Sequence, residues 1–527
     1  MRIWRAALMS AADGWTRRAA LGGGAALILA SGVRAASPLV ARAPAGNFVG
    51  SADRSVLAFK GIRYGRAERF RAPTAVAMPG QTRPARDFGP VCPQSGPYAP
   101  QSEDCLFLNV WTADTDPRAK KPVMVYIHGG AYSNGSVTDP QNEGQALAAR
   151  GDVVVVTVNH RLNALGYLYL ARLDPRFPDS GNAGQLDLIL ALQWVRDNIA
   201  AFGGDPGRVM VFGQSGGGAK IATMMGMPAA AGLFHRAATM SGQQVTASGP
   251  LNATARARAY LAKLGVAETD FTPLLTMPVE KLVEALSATD PIMGGGVYFG
   301  PVLDMTWLTR HPFWPDANPF GNRIPMMLGN THDETRAFIG LDSPKVRGLD
   351  WSNVAARMAP ELKIDILPEW VVAQYRARYP DWSPTEVFYG ATTAGRSWRG
   401  QVIEAEARAD AGTPTWVYQV DFASRTEPRR GAFHTMDIPL VFGTLGETGS
   451  QTGTAADAQA ASKAMQDSFV AFAITGDPGH AGAPHWPRYD RAKRATMIFD
   501  TRSRVENDPR RWERELFARV PYIQPGT

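Results

Sequence analysis

The chain has 527 residues, 45% of them hydrophobic and 20% charged, with 53 Gly, 22 Phe, 13 Trp and only two Cys. That balance excludes a disordered chain or a disulfide-dense scaffold and is ample for a large core. A formal net charge of +7 would suggest an anionic partner, but residues 1–36 hold a surplus of +4 and no basic stripe with interleaved aromatics follows, so nucleic acid is not an expected partner.

At the N-terminus, Thr16-Arg17-Arg18-Ala-Ala-Leu21 precedes a mild apolar run to Val33 and then the small residues Ala35 and Ala36. Paired arginines before a glycine-rich, weakly hydrophobic stretch resemble a twin-arginine export signal, so residues 1–36 are expected to direct the protein to the periplasm or beyond. The run is shorter than the roughly 20 apolar residues that a membrane span needs, and no stable span is expected once the signal is removed. No Pro/Ser-rich linker or charge block interrupts residues 37–527, which predicts a single domain with long insertions.

Pro122-Val-Met-Val-Tyr-Ile127 reads as a buried strand and runs into His128-Gly-Gly-Ala-Tyr132. Further on, Val209-Met-Val-Phe is strand-like and ends in Gly213-Gln-Ser215-Gly-Gly217 before a helical segment. A serine on so sharp a strand-to-helix turn needs small neighbours, and the turn aims backbone N–H groups at the reacting centre. Lys220, on that helix, is expected either to pair with a buried acid or to touch a carboxylate on a substrate. Helical patterns at Thr254–Leu264, Val279–Ser287 and Glu369–Arg378 fall between motif-bearing strands and predict cap insertions around 245–325 and 340–412. Met293-Gly-Gly-Gly-Val-Tyr-Phe-Gly-Pro301 reads either as the lining of an acyl pocket or as a surface loop.

A serine hydroxyl is a poor nucleophile until a base takes its proton, and the base must be oriented by a third group. Gly329-Asn-Thr-His-Asp-Glu-Thr335 offers two adjacent carboxylates, Asp333 and Glu334, at the end of a strand. Neighbouring residues point apart, so one of them should face the base. Among eight histidines, His434 follows the strand-like Trp416–Phe422 across a Gly- and Arg-rich loop, as suits a base delivered from a strand end. His128 belongs with the glycine loop, His160 beside Arg161 is read as structural, and His332 is a loop residue too close to its own carboxylates. His235, His311, His480 and His485 sit in unpatterned surroundings.

Taken with Phe59-Lys-Gly-Ile-Arg-Tyr64, Ser102-Glu-Asp-Cys-Leu-Phe-Leu-Asn109, Asn159-His-Arg-Leu162, Gly181-Asn-Ala-Gly184, Ala201-Phe-Gly-Gly-Asp-Pro206 and Pro484-His-Trp-Pro487, these motifs resemble, in order from about residue 48 to 520, the type B carboxylesterase/lipase family. The resemblance implies an α/β-hydrolase fold, a large central and mostly parallel sheet flanked by helices. It implies hydrolysis of carboxylic esters through an acyl-enzyme, with Ser215 as nucleophile, His434 as base and Glu334 as acid, Asp333 being the runner-up. Thr335 stands where the family usually has glycine. Oxyanion donors map onto Gly130, Ala131 and Gly216, and Cys92 and Cys105 match the family's first disulfide. Gln214 replaces the glutamate that precedes the cholinesterase nucleophile, and the short interval between the cysteines holds Tyr98 but no Trp, so a choline ester is disfavoured. A neutral ester of small or medium size is expected. Amide or carbamate hydrolysis, lipase action, and a non-catalytic binding role on the same fold are the alternatives. No metal-ligand spacing or phosphate-binding glycine loop appears, and no cofactor is predicted.

Overall fold

The computed structural model describes residues 39–524 and 526, so the predicted export signal lies outside the described residues. Eleven strands form the central sheet: β1 (Ser51–Asp53), β2 (Val56–Arg63), β3 (Phe107–Thr112), β4 (Lys121–Ile127), β5 (Val154–Val158), β6 (Gly204–Gln214), β7 (Arg236–Met240), β8 (Met326–Thr331), β9 (Thr415–Val420), β10 (Ala495–Phe499) and β11 (Arg504–Asn507). They lie in the order β11-β10-β9-β8-β7-β6-β4-β5-β3-β2-β1. All pairings from β5 across to β10 are parallel, while β1, β2 and β3 on one side and β11 on the other pair antiparallel.

The strand sequences explain this arrangement. In β4, β5 and β9 every residue is buried, as a parallel sheet covered on both faces requires. Alternate residues divide between two cores: Val123, Val125 and Ile127 of β4 join one, Met124 and Tyr126 the other. The covering helices follow in chain order as α1 (Ala183–Asn198), α2 (Gly216–Met224), α3 (Pro250–Leu264), α4 (Pro368–Arg378), α5 (Pro384–Thr392), α6 (Arg399–Asp410), α7 (Asp437–Phe442) and α8 (Ala456–Thr475). Leu188, Leu192 and Val195 of α1 fill the first core, and Met465, Phe469 and Phe472 of α8 fill the second. Each such side chain contributes about 1.5–3 kcal/mol on burial.

Two long insertions rise from the carboxyl ends of the strands. The one between β7 and β8 contains α3, which includes the predicted Thr254–Leu264 pattern. The Val279–Ser287 pattern becomes a short helix, Val279–Glu284, followed by a single tighter turn. The insertion between β8 and β9 carries α4, α5 and α6 and builds a core of its own around Val354, Met358, Val371, Tyr375, Val387 and Phe388. Its α5 starts with a capping box, the Ser383 hydroxyl and the Glu386 carboxylate each satisfying the other's backbone N–H.

The cysteines depart from expectation. Cys92 and Cys105 are free, buried thiols rather than a disulfide. The Cys92 sulfur accepts the Leu162 amide at 3.2 Å. The loop they bracket is closed without a covalent link: Ser102 N donates to Val91 O at 2.9 Å, and Gln101 bonds both the amide and the carbonyl of Gln94 at 3.0 Å.

Candidate active site

Strand β6 reverses into α2 at Ser215, whose φ of 54° and ψ of −125° lie in a region that costs a non-glycine residue about 1–3 kcal/mol. Surrounding structure holds it there. Ser215 N donates to Met240 O of β7 at 2.7 Å, and a Cβ on Gly213 would come within 2.7 Å of Ile127 O. A Cβ on Gly217 would overlap that same carbonyl, and one on Gly216 would overlap the Ala131 backbone. The serine turn and the loop after β4 are therefore packed backbone on backbone, a proximity only glycine permits. Gly130 and Ala131 both take positive φ, 87° and 53°. Neither their amides nor that of Gly216 donates to a protein acceptor among the described residues.

The carboxylate comes from the turn after β8. Glu334 is fully buried; its Oε1 accepts from Thr331 N at 2.8 Å and Asn330 Nδ2 at 3.1 Å, while Oε2 meets His434 Nδ1 in a very short hydrogen bond. Burial resists ionisation of this carboxyl, but the adjoining His434 and the donors on its other oxygen outweigh that and hold it below the ordinary glutamate range. Asp333 turns the other way. It accepts from Ala432 N at 3.0 Å and pairs with His332 at 3.3 Å and Arg336 at 3.4 Å. Of the two adjacent acids, only Glu334 reaches His434.

The imidazole lies under Phe338, with ring centroids 4.6 Å apart. Its Nε2 is 3.1 Å from the Gln214 side-chain nitrogen. An amide nitrogen only donates, so Nε2 is the acceptor and Nδ1 carries the proton shared with Glu334. Ser215 and His434 line one pocket of about 130 Å³, together with Ala131, Gly216, Tyr298 and Arg396. No hydrogen bond joins the two in this state, because Gln214 occupies Nε2. Catalytic hydrogen bonds are often loose before substrate binds.

Lys220 neither pairs with an acid nor reaches the pocket. It is fully buried, donates from Nζ to Ala131 O at 2.7 Å and lies 5.3 Å from the Tyr132 ring centroid, tying α2 to the glycine loop. Burial pushes its pKa down to about 7. Behind it, His128 and His160 stack at 4.7 Å; burial and the neighbouring lysine bring His128 down to about 3, so it stays neutral. In the 293–301 segment both readings hold in part: Tyr298 lines the pocket, Phe299 packs against Tyr260 at 5.4 Å, and Met293–Gly296 is exposed. A larger hollow of about 530 Å³ elsewhere holds Ser468 and His480 at 3.3 Å. There His480 Nδ1 meets the Ala481 carbonyl rather than a carboxylate, so no acid orients the ring, and Ser468 lies within α8 rather than on a strained turn.

A family model described as the carboxylesterase family matches residues 38–516. The chain belongs to the carboxylesterase family. Para-nitrobenzyl esterase of Bacillus subtilis is 34% identical over 492 residues, covering 89% of this chain and 96% of that protein. Fumonisin B1 esterase of Sphingopyxis macrogoltabida is 31% identical, covering 80% of this chain and 79% of its own. Among solved structures, a carboxylesterase of Geobacillus stearothermophilus superposes with a TM-score of 0.81 at 33% identity, covering 91% of this chain and all of that one. The protein is thus a carboxylesterase on the α/β-hydrolase fold. Among its described residues no group of three His, Cys, Asp or Glu side chains is placed to hold a metal, and no helix is long and apolar enough to cross a membrane.

Sequence reasoning passed over several residues at the site, among them Phe338 on the imidazole, Arg396, Ser397 and Tyr522 in the pocket, and Gln214 as a partner of His434. Of those named, Gln214 carried a signal, because it adjoins the serine.

Proposed function

We propose that this carboxylesterase cleaves small to medium carboxylic esters through an acyl-serine intermediate, with Ser215, His434 and Glu334 as its triad. The observation that carries the reading is the buried Glu334–His434 pair, set in one pocket with a serine on a strained turn. His434 exchanges its Gln214 contact for the Ser215 hydroxyl and takes the proton as Oγ attacks the ester carbonyl. Glu334 fixes the tautomer and stabilises the imidazolium. The unengaged amides of Gly130, Ala131 and Gly216 receive the oxyanion, each donor being worth roughly 3–4 kcal/mol in the transition state. His434 then protonates the leaving alcohol, and water repeats the cycle to release the acid.

The Bacillus subtilis relative, named for a nitrobenzyl ester activity, supports ester cleavage, while a relative named as a probable N-octanoylanthranilate hydrolase keeps amide cleavage by the same chemistry as the second reading. The small pocket favours short acyl groups over lipid chains. We also propose that residues 1–36 export the enzyme.

Nitrophenol release from acetyl, butyryl and dodecanoyl esters tests the assignment. The mature protein should favour the short esters, and a folded Ser215→Ala variant should lose at least about 10⁴-fold in kcat. Equal activity in that variant, or a folded wild type inert on every ester, would discard it.

A further inference from the structure

Between α5 and α6 the chain makes a π-helical turn, Thr393–Trp398. Such turns shift the helical register by one residue and so re-aim the side chains they carry. This one is pinned to the strand end that bears the carboxylate: Trp398 Nε1 donates to Thr331 O at 3.2 Å, and Thr393 Oγ1 accepts from Thr335 N at 3.2 Å. The residue it presents is Arg396, which lines the pocket beside Ser215 and His434 and rests on the Phe338 ring, 4.5 Å from the centroid.

Arg396 has no hydrogen bond or ion pair to any described residue. Several other sheltered arginines are paired, Arg69 with Glu103, Arg161 with Asp187, Arg256 with Asp290 and Arg494 with Glu406, all within 2.8 Å; Arg399, three residues further along, has no such partner among the described residues either but does not line this pocket. The carboxylates whose charge reaches Arg396 are committed elsewhere, Glu361 to Lys345 at 2.5 Å and Glu334 to His434. None of the pocket-lining residues is acidic, and the hydroxyl-bearing residues Tyr298, Ser397 and Tyr522 line the same pocket. Guanidinium stays charged in proteins, and burial of an unpaired charge is unfavourable. A pocket that holds one against a reacting centre is built for an anion that arrives with the substrate.

We propose that Arg396 is a specificity-determining residue that receives a carboxylate carried by the substrate, so that the preferred esters are monoesters of short dicarboxylic acids or esters of carboxylate-bearing alcohols and phenols. The inference rests on the ester-hydrolase reading and narrows its substrate class. A planar guanidinium takes a carboxylate through two parallel hydrogen bonds, and the partly dry pocket strengthens them. The reaction is unchanged: one ester bond is cleaved by one water, and the carboxylate is a handle that takes no part in it.

The test compares kcat/KM for two matched pairs. One is 4-nitrophenyl hydrogen glutarate against 4-nitrophenyl methyl glutarate, which places the charge on the acid half. The other is 4-acetoxybenzoate against its methyl ester, which places it on the leaving group. In the wild type at least one pair should favour the anion, and the pair that does so identifies the half that binds Arg396. Arg396→Met should lower that ratio on the order of 10- to 100-fold, as loss of a charged hydrogen-bonded pair predicts, and Arg396→Lys should lower it less. Because the ratio is taken within each variant, a general loss of folding or rate does not move it. Competitive inhibition of neutral-ester hydrolysis by glutarate should weaken in the same variants. A wild type indifferent to charge in both pairs, or a ratio unmoved by Arg396→Met, overturns the inference and leaves ester hydrolysis standing. A folded wild type that cleaves none of the four overturns both.

Discussion

Glutamine at position 334 would keep the side chain's shape and remove its charge, which makes Glu334 the sharpest residue for dividing orientation from electrostatics. Oε1 would still accept from Thr331 and Asn330, but the imidazolium formed as Ser215 attacks would lose its counter-charge, and the tautomer would no longer be fixed. For Glu334→Gln, kcat should fall about 10³- to 10⁴-fold with KM little changed. Asp333→Asn is the control. Its partners are the exposed His332 and the half-buried Arg336, and it does not touch His434, so kcat should fall far less than in Glu334→Gln, by less than about tenfold. A larger loss in Asp333→Asn than in Glu334→Gln would reverse the assignment. The sequence narrowed the acid to two neighbours through the alternation of side chains along a chain. Alternation alone could not choose between them, and the resemblance had to supply Glu334, because the choice depends on where the loop carrying His434 and Ala432 lies, about 100 residues away.

Helix α2 carries Ser215 at its start and Lys220 one turn on, so a single element positions the nucleophile and, through the Ala131 carbonyl, the glycine loop. The lysine is sealed among backbone carbonyls, the Tyr132 ring and the stacked His128 and His160, with no acid beside it. Its folded pKa of about 7 lies below the value of 10.5 for a free lysine. A depressed lysine means that the unfolded chain holds the extra proton across that window, so stability rises as pH climbs from about 7 towards about 10.5 and is lost as pH falls back. Chemical denaturation of wild type and Lys220→Met over pH 7–10 should show the wild type gaining up to about 1.4 kcal/mol per unit relative to the variant. Parallel pH profiles would remove the buried-amine account. The strand, turn and helix that frame Ser215 were legible because their signals are local: an apolar run, a G-x-S-x-G, a helical pattern. The π turn bearing Arg396 was not. Thr393-Ala-Gly-Arg-Ser-Trp398 continues a helical stretch, and the register slip arises from anchoring on Thr331 and Thr335, contacts no periodicity encodes.

At the scale of the whole molecule, the sheet is assembled from strands far apart in the chain: Val125 of β4 pairs with Val156 on one side and Val211 on the other. The apolar runs made those strands readable, and the resemblance supplied the large, mostly parallel sheet they join, though not their order within it. The cysteine pair shows where resemblance fails, since the local bonds of Gln94, Gln101 and Leu162 complete that loop around two thiols. Parallel pairing across such separations makes folding slow, because loop closure must be paid in entropy before the contacts reward it. A chain of this kind is poorly served by threading unfolded through a membrane and refolding on the far side. The twin-arginine reading of Arg17 and Arg18 fits that constraint, because that route moves proteins already folded. Replacing both by lysine conserves charge and hydrophobicity, so it separates recognition of the arginine pair from a general basic signal. In a bacterial host, Arg17→Lys/Arg18→Lys should abolish nitrophenyl-ester hydrolysis in the periplasmic fraction while active, folded enzyme accumulates in the cytoplasm. Undiminished periplasmic activity from the lysine variant would instead assign export to the general unfolded-chain route, and the sheet would then have to form after crossing.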